Sequence, residues 1–176
     1  MEAMNAMLER RSIRQYKEDA IPEEILSEIL KAGTYAANGR GLQSAIILAV
    51  TNREMRDRLA EINARFIDAS AAGTDPFYGA PVVLVVLAKK SVSTHVYDGS
   101  LVMGNLMLAA WDKGIGSCWI HRAKETFETE EGKDILRSLG LDPEEYEGVG
   151  NCILGYQDGP ARPVRPRKED FVYYVK

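Results

Sequence analysis

The stretch DGSLVMGNLMLAAWDKGIGSCWIH, Asp98 to His121, constrains this chain more than any other. It reads as a helix feeding a strand. Asp98 can cap the start, its carboxylate accepting from the free amides of the first turn, and Gly114 stands where a left-handed terminator belongs. Between them Leu101, Val102, Met103, Leu106, Met107, Leu108, Ala109, Ala110 and Trp111 surround the axis and leave no polar face, the pattern of a helix buried on all sides. The run is too short and too interrupted to span a bilayer. It therefore needs protein on every side, and a second copy of the chain is one candidate for that cover.

A chain of 176 residues suits one domain, 1–176, with one core. Its net charge of -4 and pI near 5.3 argue against general binding to nucleic acid or a membrane surface, because phosphate affinity is carried by surplus Lys and Arg. The basic residues are unevenly placed, however. Arg10, Arg11 and Arg14 crowd one end of the chain, and Arg162, Arg165, Arg167 and Lys168 the other, so two positive patches could meet on one anion. The first residues carry Glu2, Glu9 and Arg10 and lack the apolar core of a signal peptide, so the expected location is cytoplasmic. Cys118 and Cys152 lie in apolar runs without metal or redox spacing and read as buried thiols.

The remaining pattern alternates helices and strands. Helices are expected over Ala3–Arg10, from Pro22 to Gly33, from Asn52 onward with Met55, Leu59, Ile62 and Phe66 inward and Arg53, Arg56, Arg58 and Glu61 in water, and over Glu130–Leu139. Ala45–Val50, the run from Val82 and Gly148–Tyr156 read as interior strands, with TYAANGRGLQS (34–44) and the 72–81 segment as loops. The tail from Gln157 holds Pro160, Pro163 and Pro166 and should be extended, and Phe171–Val175 (FVYYV) is too apolar to dangle in water. It is expected to dock as a strand on this sheet or on a partner's.

The usual catalytic signatures are absent. There is no GxGxxG, no GK[ST] and no GxSxG. GIG at Gly114–Gly116 sits at a helix-to-strand junction, the reverse of the dinucleotide-binding order. His95, among Ser91, Ser93 and Thr94, reads as a surface residue, which leaves His121 for any imidazole chemistry, and no metal site is expected. If the chain is an enzyme, a bound group does the chemistry.

RRSIRQY (10–16), IPEEILSEILKAG, the loop ending in Gln43, GAPVVLVV (79–86), NLMLAAWDKGIGSCWI (105–120), and LGY before PVRPRKEDFV together resemble the nitroreductase family of FMN-dependent oxidoreductases, as a short-chain member matched nearly end to end. The resemblance implies an α+β fold, helices around a mixed, mostly antiparallel sheet, assembled as a domain-swapped homodimer with one FMN per subunit at the interface. Arg10, Arg11 and Ser12, with Arg165 and Arg167, would hold the FMN phosphate and ribityl chain. Arg14 would face the pyrimidine end of the flavin, and a backbone amide in Trp119, Ile120 and His121 would donate to the nitrogen that carries hydride. Tyr35, Gly39 and Gln43 would come from the partner. The implied reaction is ping-pong transfer from NAD(P)H to a small electron acceptor such as a nitroaromatic or quinone.

The family often reads something like PSGxNxQPW where this chain has ANGRGLQSA, so the proline, asparagine and tryptophan are lost and Arg40 stands nearby as a local substitute. His121 and Arg122 occupy positions where small residues are common, giving a more basic or crowded mouth. Alternatives within the family are dehalogenation, azoline oxidation and flavin breakdown. Outside it stand a flavin-binding or ligand-sensing protein without turnover and a structural dimer with no cofactor.

Overall fold

Among the residues that the computed structural model describes, 2–67, 73–160 and 163–176, the unbroken apolar run from Val82 to Ala88 forms the centre. Side chains alternate sides along a strand, so such a run is stable only when both faces are covered. The strand β2 (Val82–Lys89) has that cover: Val82, Leu84, Val86 and Ala88 enter one core, and Val83, Val85 and Leu87 enter another. Each of the larger side chains contributes about 1.5–3 kcal/mol on full burial. With β1 (Ala45–Val50), β3 (Gly116–Ile120) and β4 (Tyr146–Gly155), it makes a four-stranded sheet in the order β1-β2-β4-β3. Every strand pair is antiparallel. A parallel contact occurs only as a bridge between Ser12 and Ser117 at the outer edge of β3, among the described residues.

The first core is closed by α2 (Glu23–Thr34) and α4 (His95–Asp112), which bury Leu26, Ile29, Met103 and Leu106. The second is closed by α3 (Arg53–Ala64), α5 (Ala123–Glu128) and α6 (Glu130–Ser138), through Leu59, Phe127 and Leu136. The short helix α1 (Ala3–Glu9) rests on α4. Side-chain caps start two of these helices: Asn52 accepts from the Met55 N–H at 2.9 Å and Thr129 from the Gly132 N–H at 3.0 Å. Only a glycine fits at 148, because a Cβ there would lie 2.3 Å from the Ala123 carbonyl carbon where α5 crosses β4.

Several expectations need correction. The α5 helix is absent from the sequence reading; its short span and mixed polarity give no period to detect. Arg56 does not face water but is 4% exposed, donating from Nε to the Ala80 carbonyl at 3.0 Å and pairing with Asp57 and Asp75. His95 is not a loop residue; it opens α4 half-buried, with Nδ1 2.8 Å from the Val92 carbonyl oxygen and Nε2 3.6 Å from Glu147 Oε1. Nor is α4 buried all round: Tyr97 is 71% and Leu101 50% exposed, leaving one apolar stripe open. Phe171–Val175 is not a strand on this chain's sheet, and its side chains are 62–101% exposed. Ala72 and Arg162 lie outside the described residues.

Asp98 also departs from expectation, since α4 begins at His95 and Thr94 takes the cap position. The Asp98 carboxylate, 3% exposed, instead accepts from the Gly39 N–H at 2.9 Å, the Ser44 hydroxyl at 2.7 Å and the Thr94 hydroxyl at 3.2 Å. It ties the 38–44 loop to α4. Burial opposes its charge, yet these hydrogen bonds outweigh burial and hold its carboxyl below the usual carboxylate range. The two thiols are free and buried, and burial pushes both up, Cys152 to about 12.

Two outcomes follow from these groups. Asp98→Asn should cost about 1–3 kcal/mol at neutral pH by leaving amide hydrogens against donors. A depressed folded-state pKa gives stability that is complete above the ordinary value near 4 and lost as pH falls through the lower folded value, so the gap between wild type and variant in urea melts should be widest at neutral pH and close in acid. Cys118 and Cys152 should resist a thiol reagent at pH 8 in the folded protein and react together once denaturant is added; rapid reaction of either under native conditions would contradict their burial.

Candidate active site

RRSIRQY is too charged for core, and the structure lays it along the free edge of β3. The Ile13 N–H donates to the Ser117 carbonyl at 2.9 Å, and the Lys17 N–H to the Tyr156 carbonyl at 2.9 Å. Ile13 and Tyr16 point inward as anchors. Ile13 is 3% exposed, and the Tyr16 hydroxyl donates to the Ile13 carbonyl at 2.7 Å, with burial driving its ionisation far above the usual range. The intervening positions stay outside the core and bring their polar groups to β3. The Cys118 thiol senses them: burial pushes it up, while Arg14, a hydrogen bond from Ser12 and Arg10 pull it down.

Within this cluster the guanidiniums are in three different states. Arg10 carries a buried Nη1 with no hydrogen-bond partner. Arg11 turns back, donating from Nη1 to the Leu8 carbonyl at 2.8 Å and the Arg10 carbonyl at 2.7 Å, where it satisfies the end of α1. Arg14 lies 6.0 Å from the ring centre of Tyr78. Tyr78 is held with φ 53 in a tight turn by Asp75, which accepts from the Phe77 N–H at 2.9 Å and the Gly79 N–H at 2.7 Å and pairs with buried Arg56. Ser12, Arg14, Tyr78, Gln157 and Asp158 line a cleft of about 480 Å³. A buried guanidinium nitrogen without a hydrogen-bond partner is costly unless an acceptor completes it. A phosphate has the matching charge and oxygen geometry.

Trp119 and Ile120 end β3, and His121 follows it. Trp119 packs its ring on Gly150, Ile120 turns to the second core, and His121 is exposed. The His121 carbonyl accepts from Asn63 Nδ2 at 3.0 Å and Asn151 Nδ2 at 3.4 Å. Arg122 follows in the left-handed region with φ 74.

The other expected residues lie elsewhere. Tyr35 is exposed at the end of α2, Gly39 donates to Asp98, and Gln43, with φ 47, leads into β1. Gln43, Asn38, Leu30, Ala36 and Val102 line a second, apolar cleft of about 420 Å³. β1 and β3 are opposite edges of the sheet, three strand spacings or roughly 14 Å apart, so one copy does not gather both groups into one pocket. Arg40, with φ 53, is exposed in the same loop. Arg165 and Arg167 are exposed in the tail and make no hydrogen bond or ion pair among the described residues.

Sequence reasoning missed Tyr78, Asn63 and Asn151. DPFYG at 75–79 carries a turn signal that could have located Tyr78, whereas Asn63 sits on a helix whose polar residues all looked solvated.

The chain is similar to known proteins in both sequence and fold. A sequence profile described as the Nitroreductase family matches residues 7–156. A protein of Archaeoglobus fulgidus, provisionally named NADH dehydrogenase/NAD(P)H nitroreductase, is 31% identical over 163 residues, covering 88% of this chain and 85% of that one. A crystal structure of a nitroreductase with bound FMN from Bacteroides fragilis superposes with a TM-score of 0.89 at 28% identity, covering 100% of both chains. Iodotyrosine deiodinase bound to FMN and 3-iodo-L-tyrosine shares the fold, with a TM-score of 0.78 at 22% identity over 99% of this chain and 100% of that one. With its α+β architecture and a profile match over most of its length, this chain belongs to the Nitroreductase family of oxidoreductases.

Proposed function

We propose that the protein is an FMN-dependent oxidoreductase that passes electrons from NAD(P)H to a small acceptor such as a nitroaromatic or quinone. The observation that carries this reading is the buried, unpartnered Arg10 Nη1, near Ser12 and Arg14 on the segment that follows the outer edge of β3. FMN, when bound, supplies the acceptance of hydride from one substrate and its return to a second in the same slot. Arg10 and Ser12 grip the phosphate and ribityl chain, and Arg11 fixes the Arg10 backbone from behind. Arg14 faces the pyrimidine edge, where a cation favours added negative charge. Backbone amides at Trp119–His121 orient the ring, and His121 and Arg122 make the mouth basic. None of these roles requires a protein acid or base.

The reading includes a homodimer. Tyr35, Gly39 and Gln43 would complete the partner's site, which is consistent with their separation from β3 in one copy. Arg40 would stand at the same rim, and Arg165 and Arg167 would arrive with the exchanged tail. Unsatisfied surfaces support this. Tyr97 and Leu101 on α4 and Met4, Met7 and Leu8 on α1 are exposed apolar side chains, the kind of surface a partner subunit would cover. β1 has an open edge, and Val172–Val175, apolar and following a 3-10 turn, pairs with no strand among the described residues.

The first test is the visible spectrum of the purified protein, then anaerobic addition of NADH and NADPH separately. A flavin band that bleaches and returns with a quinone or nitro compound is expected; a band that stays oxidised favours a sensor, and no flavin after soaking in FMN sinks the reading. Arg10→Ala should weaken FMN retention by roughly 10–100-fold, as expected for a charge-assisted phosphate contact, with little change in melting of the cofactor-free protein. Removing residues 171–176 should lower the mass in light scattering to that of one chain and release FMN. A truncated protein that stays dimeric would contradict tail exchange.

A further inference from the structure

Two fully enclosed amides grip one carbonyl at the end of β3. Asn63, near the end of α3, donates from Nδ2 to the His121 carbonyl at 3.0 Å; Asn151, inside β4, reaches the same oxygen and the Ile120 carbonyl at 3.4 Å each. Both side chains are 1% exposed. A carbonyl oxygen has two lone pairs, so two donors from different elements fix its direction. The arrangement is not made for hydrogen-bond satisfaction alone. Asn63 leaves its own Oδ1 buried without a partner, and a carbonyl next to an exposed residue such as His121 could have bonded to water.

The consequence lies on the other side of the peptide. A trans peptide is planar with its N–H opposite its C=O, so drawing the His121 carbonyl toward Asn63 and Asn151 turns the Arg122 N–H away from α3. Arg122 has φ 74, and its N–H makes no hydrogen bond among the described residues. Backbone direction alternates along an antiparallel strand. Because the Ser117 carbonyl faces outward to Ile13, Trp119 and His121 present their amides to that same outer edge. A left-handed residue following such an amide brings successive N–H groups together into an anion-attracting concavity.

We propose that Asn63 and Asn151 are positioning residues that lock the His121–Arg122 peptide with its free N–H toward the flavin, where negative charge gathers on reduction. This rests on the FMN reading above. The asparagines touch neither cofactor nor substrate; they act through the peptide. A donor fixed before the reaction needs no reorganisation during it, and loss of such support is expected to cost about 10–100-fold in rate.

The experiment uses the full-length protein, wild type and the variants Asn63→Ala, Asn63→Asp and Asn151→Ala, with selective ¹⁵N-arginine labelling. Wild type should show a downfield shift of the Arg122 amide on adding FMN. In the variants that shift should shrink, the flavin midpoint potential should fall, and reduction by nicotinamide should slow by roughly 10–100-fold, while FMN affinity stays close to wild type because the arginine grip is untouched. Asn63→Asp, which keeps size but removes the donor, should behave like Asn63→Ala. Variants that lose only melting temperature, with potential and Arg122 shift unchanged, would overturn the proposal. Should no variant fold, wild-type protein that binds and reduces FMN without moving the Arg122 amide would overturn it equally. Wild type that takes up no FMN at all would defeat the underlying flavin reading instead.

Discussion

Burial of β2 on both faces is the constraint from which the rest of the molecule follows. A strand with seven consecutive core residues needs a helical layer on each side and a strand on each edge. The α2 and α4 pair supplies one layer and α3, α5 and α6 the other. With β2 and β4 occupying the middle, the functional segments fall to the rims. The arginine-bearing segment docks on β3, and the glycine-rich loop enters β1 on the opposite side. The proposed site would therefore be divided by the same feature that stabilises the domain.

Polar groups buried near these rims have a shared character. Asp98 fixes the 38–44 loop, Asp75 with Arg56 fixes the turn carrying Tyr78, and Asn63 with Asn151 fixes the end of β3. In each case a side chain from a regular element reaches into an irregular one. Buried polar groups earn little net stability, but they define one conformation where the backbone has several. Arg40, Gln43, Tyr78 and Arg122, the four non-glycine residues with positive φ among the described residues, all lie in or beside these fixed loops.

The sequence was informative where period and composition coincide. β1 has the expected bounds, β2 begins at the expected Val82, and the uniform apolarity of β2 follows directly from its double burial. Motif order also led to the family, and placed Arg10, Ser12 and Arg14 in one cluster. It was misleading where long-range contact overrides local type. Asp98 and Arg56 look like a cap and a surface charge, yet each is held by residues distant in the chain. Asn63 and Asn151 carry no local signal, because one amide in a helix and one in a strand become a pair only when the last turn of α3 reaches the residue that follows β3. The α4 stripe was legible as apolar, but a helical pattern alone does not say which copy covers it.

If two copies pair through the exchanged tail proposed above, the open edge of β1 and the FVYYV segment bear on what happens to a chain before it meets a second copy. Both halves of a strand-pairing event are then exposed on one molecule. Reciprocal exchange between two copies closes the pairing and uses up both ends, whereas head-to-tail exchange leaves an edge at one end and a tail at the other and can continue without limit. Symmetry is thus what separates a finite particle from a growing fibre, and any change that slows reciprocal pairing exposes newly made chains to aggregation.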